Sequence, residues 1–165
     1  MKKRNSLPSW IWTRPDSFCA CGFGTGAAAF APGTFGTLAG LPFYWAMQML
    51  SLPVYLAIVV LMFIVGVWIC DRTAKALQVH DHPGIVWDEI VGFLVTMILA
   101  PSGWIWWLVG FLLFRLFDIV KPWPIKWLDQ RVGGGFGIMI DDVLAGVFAA
   151  GCLQWLNYSN WIHIN

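Results

Sequence analysis

The chain has 165 residues, of which 59% are apolar and only 12% are charged. An ordinary soluble domain carries roughly 25% charged residues, and a domain of this size exposes too much surface to hide so many apolar side chains. The composition therefore predicts a membrane protein and excludes a disordered chain. The net charge of +1, without a basic tract, also excludes a nucleic-acid-binding protein.

The N-terminal stretch is basic at first but lacks the long apolar segment of a signal peptide. Lys2, Lys3 and Arg4 are followed by a stretch that is interrupted by Pro8 and Pro15. We therefore expect residues 1–20 to form a cytoplasmic segment at the start of a single membrane-embedded domain that covers 1–165. The four cysteines show no metal-ligand spacing, so we expect them to pack as small apolar residues.

Five apolar runs predict an all-α, polytopic membrane bundle. They cover residues 34–50, 54–70, 85–100, 104–120 and 138–157. A helix of 17 residues reaches about 26 Å, close to the ~30 Å thickness of the hydrocarbon core. Tight links that contain proline join the first run to the second and the third to the fourth, which predicts two antiparallel hairpins. A four-helix arrangement, with the first run re-entrant, is the alternative.

The charged residues predict the orientation of this bundle. With five crossings, the N-terminus and the loops 71–84 and 121–137 share one side of the membrane. All 10 Lys and Arg lie on that side or at a helix end that touches it. Because basic residues collect on the cytoplasmic side, we expect this side in the cytoplasm and the C-terminus outside.

Three segments carry charged side chains at the cytoplasmic edge of the predicted crossings. Two adjacent carboxylates open the third run, three charges recur every three residues on one face of the fourth, and two adjacent carboxylates lie early in the fifth. These residues are Asp88 and Glu89; Arg115, Asp118 and Lys121; and Asp141 and Asp142. Each segment alone also fits helix capping or an internal salt bridge. Five carboxylates at one depth would repel one another, however, unless cations neutralise them.

This combination of charges favours a divalent metal ion and a phosphate. Clustered carboxylates with few histidines suit a hard ion such as Mg²⁺, and Arg115, Lys121 and Lys126 supply positive charge for a phosphate. The location at the membrane boundary indicates chemistry on a phosphorylated lipid headgroup. His80 or His82 could add a ligand or a proton donor, although a loop histidine is often only solvated. We expect Asp129 to lie in a solvent loop, outside this site.

A glycine-rich segment before the first run has two interpretations. Gly36 and Gly40 have the spacing of a close helix–helix contact. Alternatively, Gly33 and Thr34 follow Pro32 at a helix start and could present backbone N–H groups to a phosphate. The segment is not a P-loop, because no lysine follows its glycines.

Three motifs in order resemble those of the phosphatidylglycerophosphatase A family. They lie at 79–89, 114–125 and 137–146, and the likeness runs from about Gly22 to Trp155. The resemblance implies a multi-pass lipid phosphatase of the bacterial inner membrane that requires Mg²⁺. Its substrate would be phosphatidylglycerophosphate in the membrane, its product phosphatidylglycerol, and its active site would face the cytoplasm.

The resemblance also implies roles for individual residues. The implied metal ligands are Asp88, Glu89, Asp118, Asp141 and Asp142. The residues that would bind the phosphate are Arg115 and Lys121, with Lys126, Gly33 and Thr34 as further candidates. His80 or His82 would protonate the leaving glycerol oxygen, and one carboxylate would act as base.

Two other kinds of membrane protein fit some of these observations. A small transporter would also place carboxylates and an arginine inside crossings, and another lipid-phosphate-processing enzyme would share the whole charge pattern. A transporter needs pathways to both faces of the membrane. Every ionisable side chain except His163 gathers on one side, which favours an enzyme. A structural subunit explains the clustered acids least well, and the oligomeric state is not predicted.

Overall fold

The computed structural model describes residues 7–159, and this part of the chain is helical without strands. The α-helices are α1 (Pro15–Ala20), α2 (Pro32–Met47), α3 (Leu52–Leu77), α4 (Trp87–Thr96), α5 (Trp104–Val120), α6 (Ile125–Arg131) and α7 (Gly134–Tyr158). Two 3-10 segments, Ser9–Trp12 and Gly22–Ala27, precede α2. The all-α prediction is therefore confirmed for 7–159. The predictions for the basic N-terminal residues, for His163 and for the C-terminal end lie outside the described residues.

Two helices are long and apolar enough to cross a membrane by their length and composition. They are α3, with 26 residues, and α7, with 25 residues. Large apolar side chains such as Val60, Leu61 and Ile64 are exposed along α3, whereas α7 is more deeply buried in the bundle. The shorter helices α2 and α5 match the first and fourth predicted runs.

The shortest apolar helix, α4, differs most from its predicted run. The sequence predicts a crossing over 85–100, but α4 covers only ten residues. At 1.5 Å per residue it is about 15 Å long, half the thickness of a hydrocarbon core. Nearly all of its side chains are buried by neighbouring helices. The helix is therefore shorter than the run predicted over 85–100, and neighbouring helices cover it; that this run crosses the membrane stays a prediction.

Glycines allow the backbones of α4 and α7 to touch. A Cβ atom at Gly146 would lie 2.4 Å from the carbonyl oxygen of Gly92, and one at Gly92 would lie 2.8 Å from that of Asp142. On the other side of α4, a Cβ atom at Gly36 or Gly40 would lie within 3 Å of side chains that begin or line α4. The close-contact interpretation of these two α2 glycines is confirmed.

The residues ahead of α2 fold against the charged end of the bundle. The Thr73 hydroxyl donates a hydrogen bond to Ser17 Oγ at 3.2 Å, which joins α3 to α1. One residue away on each helix, Arg72 Nε forms an ion pair with Asp16 at 3.2 Å. The described part of the segment that the sequence analysis predicts to be cytoplasmic is thus packed against α3 and, through the Val86 N–H and the Ala20 carbonyl, against the start of α4.

The cysteines pack as the sequence predicts. Cys21 and Cys70 are fully buried, and Cys19 and Cys152 are half-buried. Burial, with a further contribution from the charge of Asp88, raises the pKa of the Cys21 thiol to about 12. A thiol with so high a pKa is neither a good nucleophile nor a good metal ligand.

Candidate active site

Three carboxylates from two helices converge at the charged end of the bundle. Asp88 and Glu89 lie in the first turn of α4, and Asp142 lies in the third turn of α7. One carboxylate oxygen of each lies within 4.8 Å of the other two. Gly92 and Gly146 lie one turn beyond Asp88 and Asp142, so the backbone contact between α4 and α7 brings these side chains together. We call this set of three residues the carboxylate group.

The carboxylate group has more negative charge than the surrounding donors satisfy. Within 7–159, Asp88 Oδ1, Glu89 Oε2 and Asp142 Oδ2 are buried without a hydrogen-bond partner. Buried carboxylates in this state repel one another and have lost their hydration, which costs free energy. A hard divalent cation prefers oxygen ligands and removes both costs. The donor set therefore fits an ion such as Mg²⁺.

Arg115 of α5 lies between the carboxylate group and the start of α2. Its Nη1 atom forms an ion pair with Asp118, one turn along the helix, and lies 3.9 Å from Glu89 Oε1. A Cβ atom at Gly33 would lie 2.9 Å from the same Nη1, so the missing side chain leaves room for the guanidinium. The Nε atom of Arg115 is buried with no partner in the described structure. Arg115 thus keeps an unused donor beside the carboxylate group.

The start of α2 supplies another donor at the same place. Ala31, the residue before the helix, adopts a left-handed conformation with φ 45°, and the helix begins at Pro32. The Thr34 N–H donates a hydrogen bond to the Ala31 carbonyl at 2.9 Å, whereas the Gly33 N–H has no acceptor among residues 7–159. The first N–H groups of a helix lack internal partners and bind anions well. The anion-binding interpretation of Gly33 is therefore compatible with the close packing of Gly36 and Gly40.

Lys121 connects α5 to α6 and α7. Its Nζ atom pairs with Asp141 of α7 and, at 2.9 Å, with Asp129 of α6. Burial opposes the lysine's charge, but these two carboxylates raise the pKa of Lys121 well above its usual value. Asp129 is solvent-exposed, as the sequence predicts, but it lies on α6 rather than in a loop and contacts Lys121. Lys126, also on α6, is exposed and has no ion pair in the described structure.

The five predicted metal ligands thus separate into two kinds. Asp88, Glu89 and Asp142 form the carboxylate group, and one oxygen of each is without a donor. Asp118 and Asp141 are instead paired with Arg115 and Lys121, respectively, although Asp141 Oδ1 is also buried without a partner within 7–159. Sequence spacing could not separate these kinds, because all five carboxylates lie at a similar depth along their helices.

Neither predicted histidine belongs to the carboxylate group. His80 is exposed and lies beside Gly133, just before α7. His82 is half-buried, and its Nδ1 atom accepts a hydrogen bond from Gly84 N–H at 3.0 Å. Burial lowers the pKa of His82 below its usual value, which favours the neutral ring. Because Nδ1 accepts the Gly84 N–H, the neutral ring carries its proton on Nε2.

The sequence analysis did not include Asp81 in the site. This residue lies between the two histidines, in the loop that leads to α4 and the charged end of the bundle. A loop residue has no helical periodicity that would relate it to distant carboxylates. The only available signal was its position between two histidines just before the third apolar run.

Comparisons with known proteins agree on one family. A family model described as Phosphatidylglycerophosphatase A matches residues 18–157. Phosphatidylglycerophosphatase A of Escherichia coli strain K12 is 45% identical over 147 residues, which cover 88% of this chain and 86% of the relative. The protein of the same name from Haemophilus influenzae is 42% identical over 151 residues, covering 90% and 93%. A relative from Bacteroides thetaiotaomicron, provisionally named a phosphatidylinositol-3-phosphatase, is 36% identical over 157 residues, covering 90% and 92%. No solved structure matches this chain.

Proposed function

The chain belongs to the phosphatidylglycerophosphatase A family, and we propose that it hydrolyses phosphatidylglycerophosphate to phosphatidylglycerol and inorganic phosphate. The observation that carries this proposal is the juxtaposition of unpartnered buried carboxylates with the unused Nε donor of Arg115. The first set suits a metal ion and the second suits a phosphate oxygen. Together they would neutralise the two negative charges of a phosphate monoester during its hydrolysis.

Asp88, Glu89 and Asp142 are the residues that would hold Mg²⁺. Each offers a buried, unsatisfied carboxylate oxygen. When bound, the ion supplies positive charge that offsets the charge of the phosphate. Asp118 and Asp141 orient the neighbouring cations Arg115 and Lys121 in this proposal, rather than acting as direct ligands.

Arg115 and the N–H of Gly33 would bind the phosphate. Asp118 holds Nη1 and so fixes the plane of the guanidinium, which leaves Nε to donate to a phosphoryl oxygen. The Gly33 N–H, at the start of α2, lies close to the same guanidinium. Donors that are already oriented stabilise the charge that grows on the phosphoryl oxygens without further reorganisation.

Hydrolysis breaks the bond between phosphorus and the glycerol oxygen and forms one between phosphorus and a water oxygen. The attacking water loses a proton, and the leaving oxygen gains one. Asp141 is our candidate for the base, because its Oδ1 atom is buried without a partner next to Asp142. His82 is our candidate for the acid because it lies in the loop that leads to α4; this role requires the charged imidazolium, whose formation breaks the hydrogen bond from Gly84 N–H to Nδ1.

We also propose that the chain lies in the bacterial inner membrane, with the site on the cytoplasmic side. The exposed apolar surface of α3 supports contact with lipid. The gathering of Lys and Arg near the carboxylate group supports the orientation. In this arrangement α2, α3, α5 and α7 cross the bilayer, and α4 together with the segment that follows it passes between them from the charged end to the opposite face. A transporter is disfavoured because the charged residues lie near one face.

Release of inorganic phosphate from phosphatidylglycerophosphate tests the proposed function. Purified protein in detergent micelles is given this lipid, phosphatidylinositol-3-phosphate or phosphatidic acid, each with Mg²⁺ or with a chelator. We expect rapid release from phosphatidylglycerophosphate in Mg²⁺ and little in chelator. Faster release from phosphatidylinositol-3-phosphate would reassign the substrate, and full activity in chelator would remove the metal from the mechanism.

A further inference from the structure

An apolar groove lies on the surface of the bundle between α3, α4 and α7. Its volume is about 340 Å³, within the range of ligand pockets. Every side chain that lines it is apolar, including Leu56, Val60 and Phe63 on α3 and Val91 and Val95 on α4. A headgroup or a metal ion would find no polar partner in this groove.

The groove begins within one turn of the carboxylate group. Val91 follows Asp88 by three residues on α4, a rise of about 4.5 Å. On α7 the lining includes Ile140, the residue directly before Asp141. On α3 the lining extends from Phe63 back to Leu56, about 10 Å along the helix. The groove therefore leads away from the site along a helix that is long enough to cross a membrane.

We propose that this groove holds one acyl chain of the lipid whose phosphate is hydrolysed. The inference rests on the proposed function, because the headgroup at Arg115 is what brings the chain to the end of the groove near Asp88. A second apolar groove, between α2 and α5, begins at Phe111, one turn from Arg115, but its lining does not include α4 or α7, which carry the carboxylate group. Inside a bilayer, packing contacts rather than removal from water discriminate between partners. The groove therefore selects substrates by chain length and shape.

Two neighbouring residues on α3 allow a matched test. Val60 lines the groove and is 56% exposed, whereas Leu61 is 60% exposed and is not part of its lining. Successive helical residues point about 100° apart, so Val60→Trp fills the groove and Leu61→Trp places the same ring elsewhere at the same depth. Both positions are exposed, so neither substitution disturbs a packed core.

The readout compares long-chain phosphatidylglycerophosphate with its deacylated headgroup, glycerophosphoglycerophosphate. Val60→Trp should raise the KM for the lipid, relative to that for the headgroup, by about tenfold. Leu61→Trp should leave this ratio and the turnover unchanged. An unchanged ratio in the Val60→Trp protein would overturn the groove assignment. The proposed function would still stand as long as the wild-type protein hydrolyses the lipid.

Photo-crosslinking of the wild-type protein gives a test that does not depend on how a variant folds. The probe is phosphatidylglycerophosphate with a diazirine in the middle of one acyl chain, and labelled residues are located by mass spectrometry. We expect label on groove residues such as Val60 and Val95, with displacement by excess phosphatidylglycerophosphate but not by phosphatidylcholine. Label spread evenly around α3, or equal displacement by both lipids, would overturn the proposal.

Discussion

At the residue scale, we expect the charge of Asp142 to favour metal binding and to disfavour folding. Asp142→Asn keeps the side-chain volume but removes one of three charges that repel one another when no cation is bound. We expect the variant to unfold at a higher temperature than the wild type in chelator. Its turnover in Mg²⁺ should fall by about 10²-fold or more, with partial recovery as Mg²⁺ is raised. Thermal unfolding and phosphate release measure the two effects.

Asp16→Asn is the matched control for this substitution. Asp16 lies in α1, where its ion-pair partners are Arg14 and Arg72 rather than the carboxylate group. Its replacement should leave turnover and Mg²⁺ dependence normal. An Asp142→Asn protein with wild-type turnover would show that the carboxylate group has a structural role only.

Arg115→Lys separates phosphate binding from metal binding. Lysine keeps the positive charge but lacks Nε and the planar arrangement of donors. We expect kcat/KM to fall by about 10²-fold at every Mg²⁺ concentration, because a metal ion cannot replace a missing hydrogen-bond donor. Phosphate release over a Mg²⁺ series checks this. Recovery at high Mg²⁺, like that expected for Asp142→Asn, would instead assign Arg115 to metal binding.

At the element scale, the contact between α4 and α7 is the most sensitive to change. In Gly146→Ala the new Cβ atom meets the Gly92 carbonyl oxygen, which belongs to the backbone and cannot rotate away. We expect a loss of about 1–3 kcal/mol of stability. Activity should fall as well, because Asp88 and Asp142 lie one turn from the contact and would move apart.

Gly151→Ala provides the control on the same helix. A Cβ atom at Gly151 meets nothing within 4 Å, so alanine should be neutral or should stabilise the helix by up to ~1 kcal/mol. Thermal unfolding and phosphate release of both variants are compared. A Gly146→Ala protein as stable and active as Gly151→Ala would contradict the close contact.

The ion pairs of Asp16 predict a pH-dependent link between α1 and α3. Burial raises the pKa of the Asp16 carboxyl, but hydrogen bonds from Arg14 and from the Ser17 N–H, together with the charges of Arg14 and Arg72, lower it below its usual value. A carboxyl with a lowered folded-state pKa stabilises the fold above its unfolded-state pKa of about 4 and loses this effect as the pH falls. Asp16→Asn should therefore unfold a few degrees earlier than wild type at pH 7, with a smaller difference below about pH 4. A difference that persists at low pH would indicate lost packing rather than lost charge.

Hydropathy located most helices but could not say what surrounds them. The apolar runs predict the ends of α2, α5 and α7 to within four residues, because proline or glycine interrupts the chain near these ends. The predicted run for α3 stops at Cys70, because charged residues follow it. The helix itself continues to Leu77, since these charged residues still favour helix. Hydropathy also overestimates α4, because a run buried by protein is as apolar as one buried by lipid.

The sequence could predict which residues of the candidate site lie together where they share a helix. It could not do so where they lie on different elements. The pair Asp88 and Glu89, and the pair Arg115 and Asp118, are visible as neighbours in the sequence or on one helix face. The bridge from Lys121 to Asp129 depends on a turn and on α6, whose seven residues are too few for a periodic signal. The unused donor of Arg115 depends on which partners its other atoms find, and no sequence pattern reports that.

At the scale of the whole molecule, we expect exposed residues at the two ends of the bundle to lie on opposite sides of the membrane. Ser102, between α4 and α5, and Gln130, in α6, are both exposed. In a cysteine-free background, Ser102→Cys should react with an impermeant thiol reagent on intact cells. Gln130→Cys should react only after permeabilisation, because the orientation follows the basic residues. Labelling of Gln130→Cys on intact cells would invert the proposed topology.

The shortness of α4 has a consequence for how the protein is made. A ten-residue helix with two acidic side chains cannot be inserted into a bilayer on its own, so it must enter with protein already around it. Its backbone partner, α7, is the last helix of the described chain to leave the ribosome. A chain that stops before α7 would lack Asp142 and the backbone contact beside Asp88, so we expect such a product to be inactive.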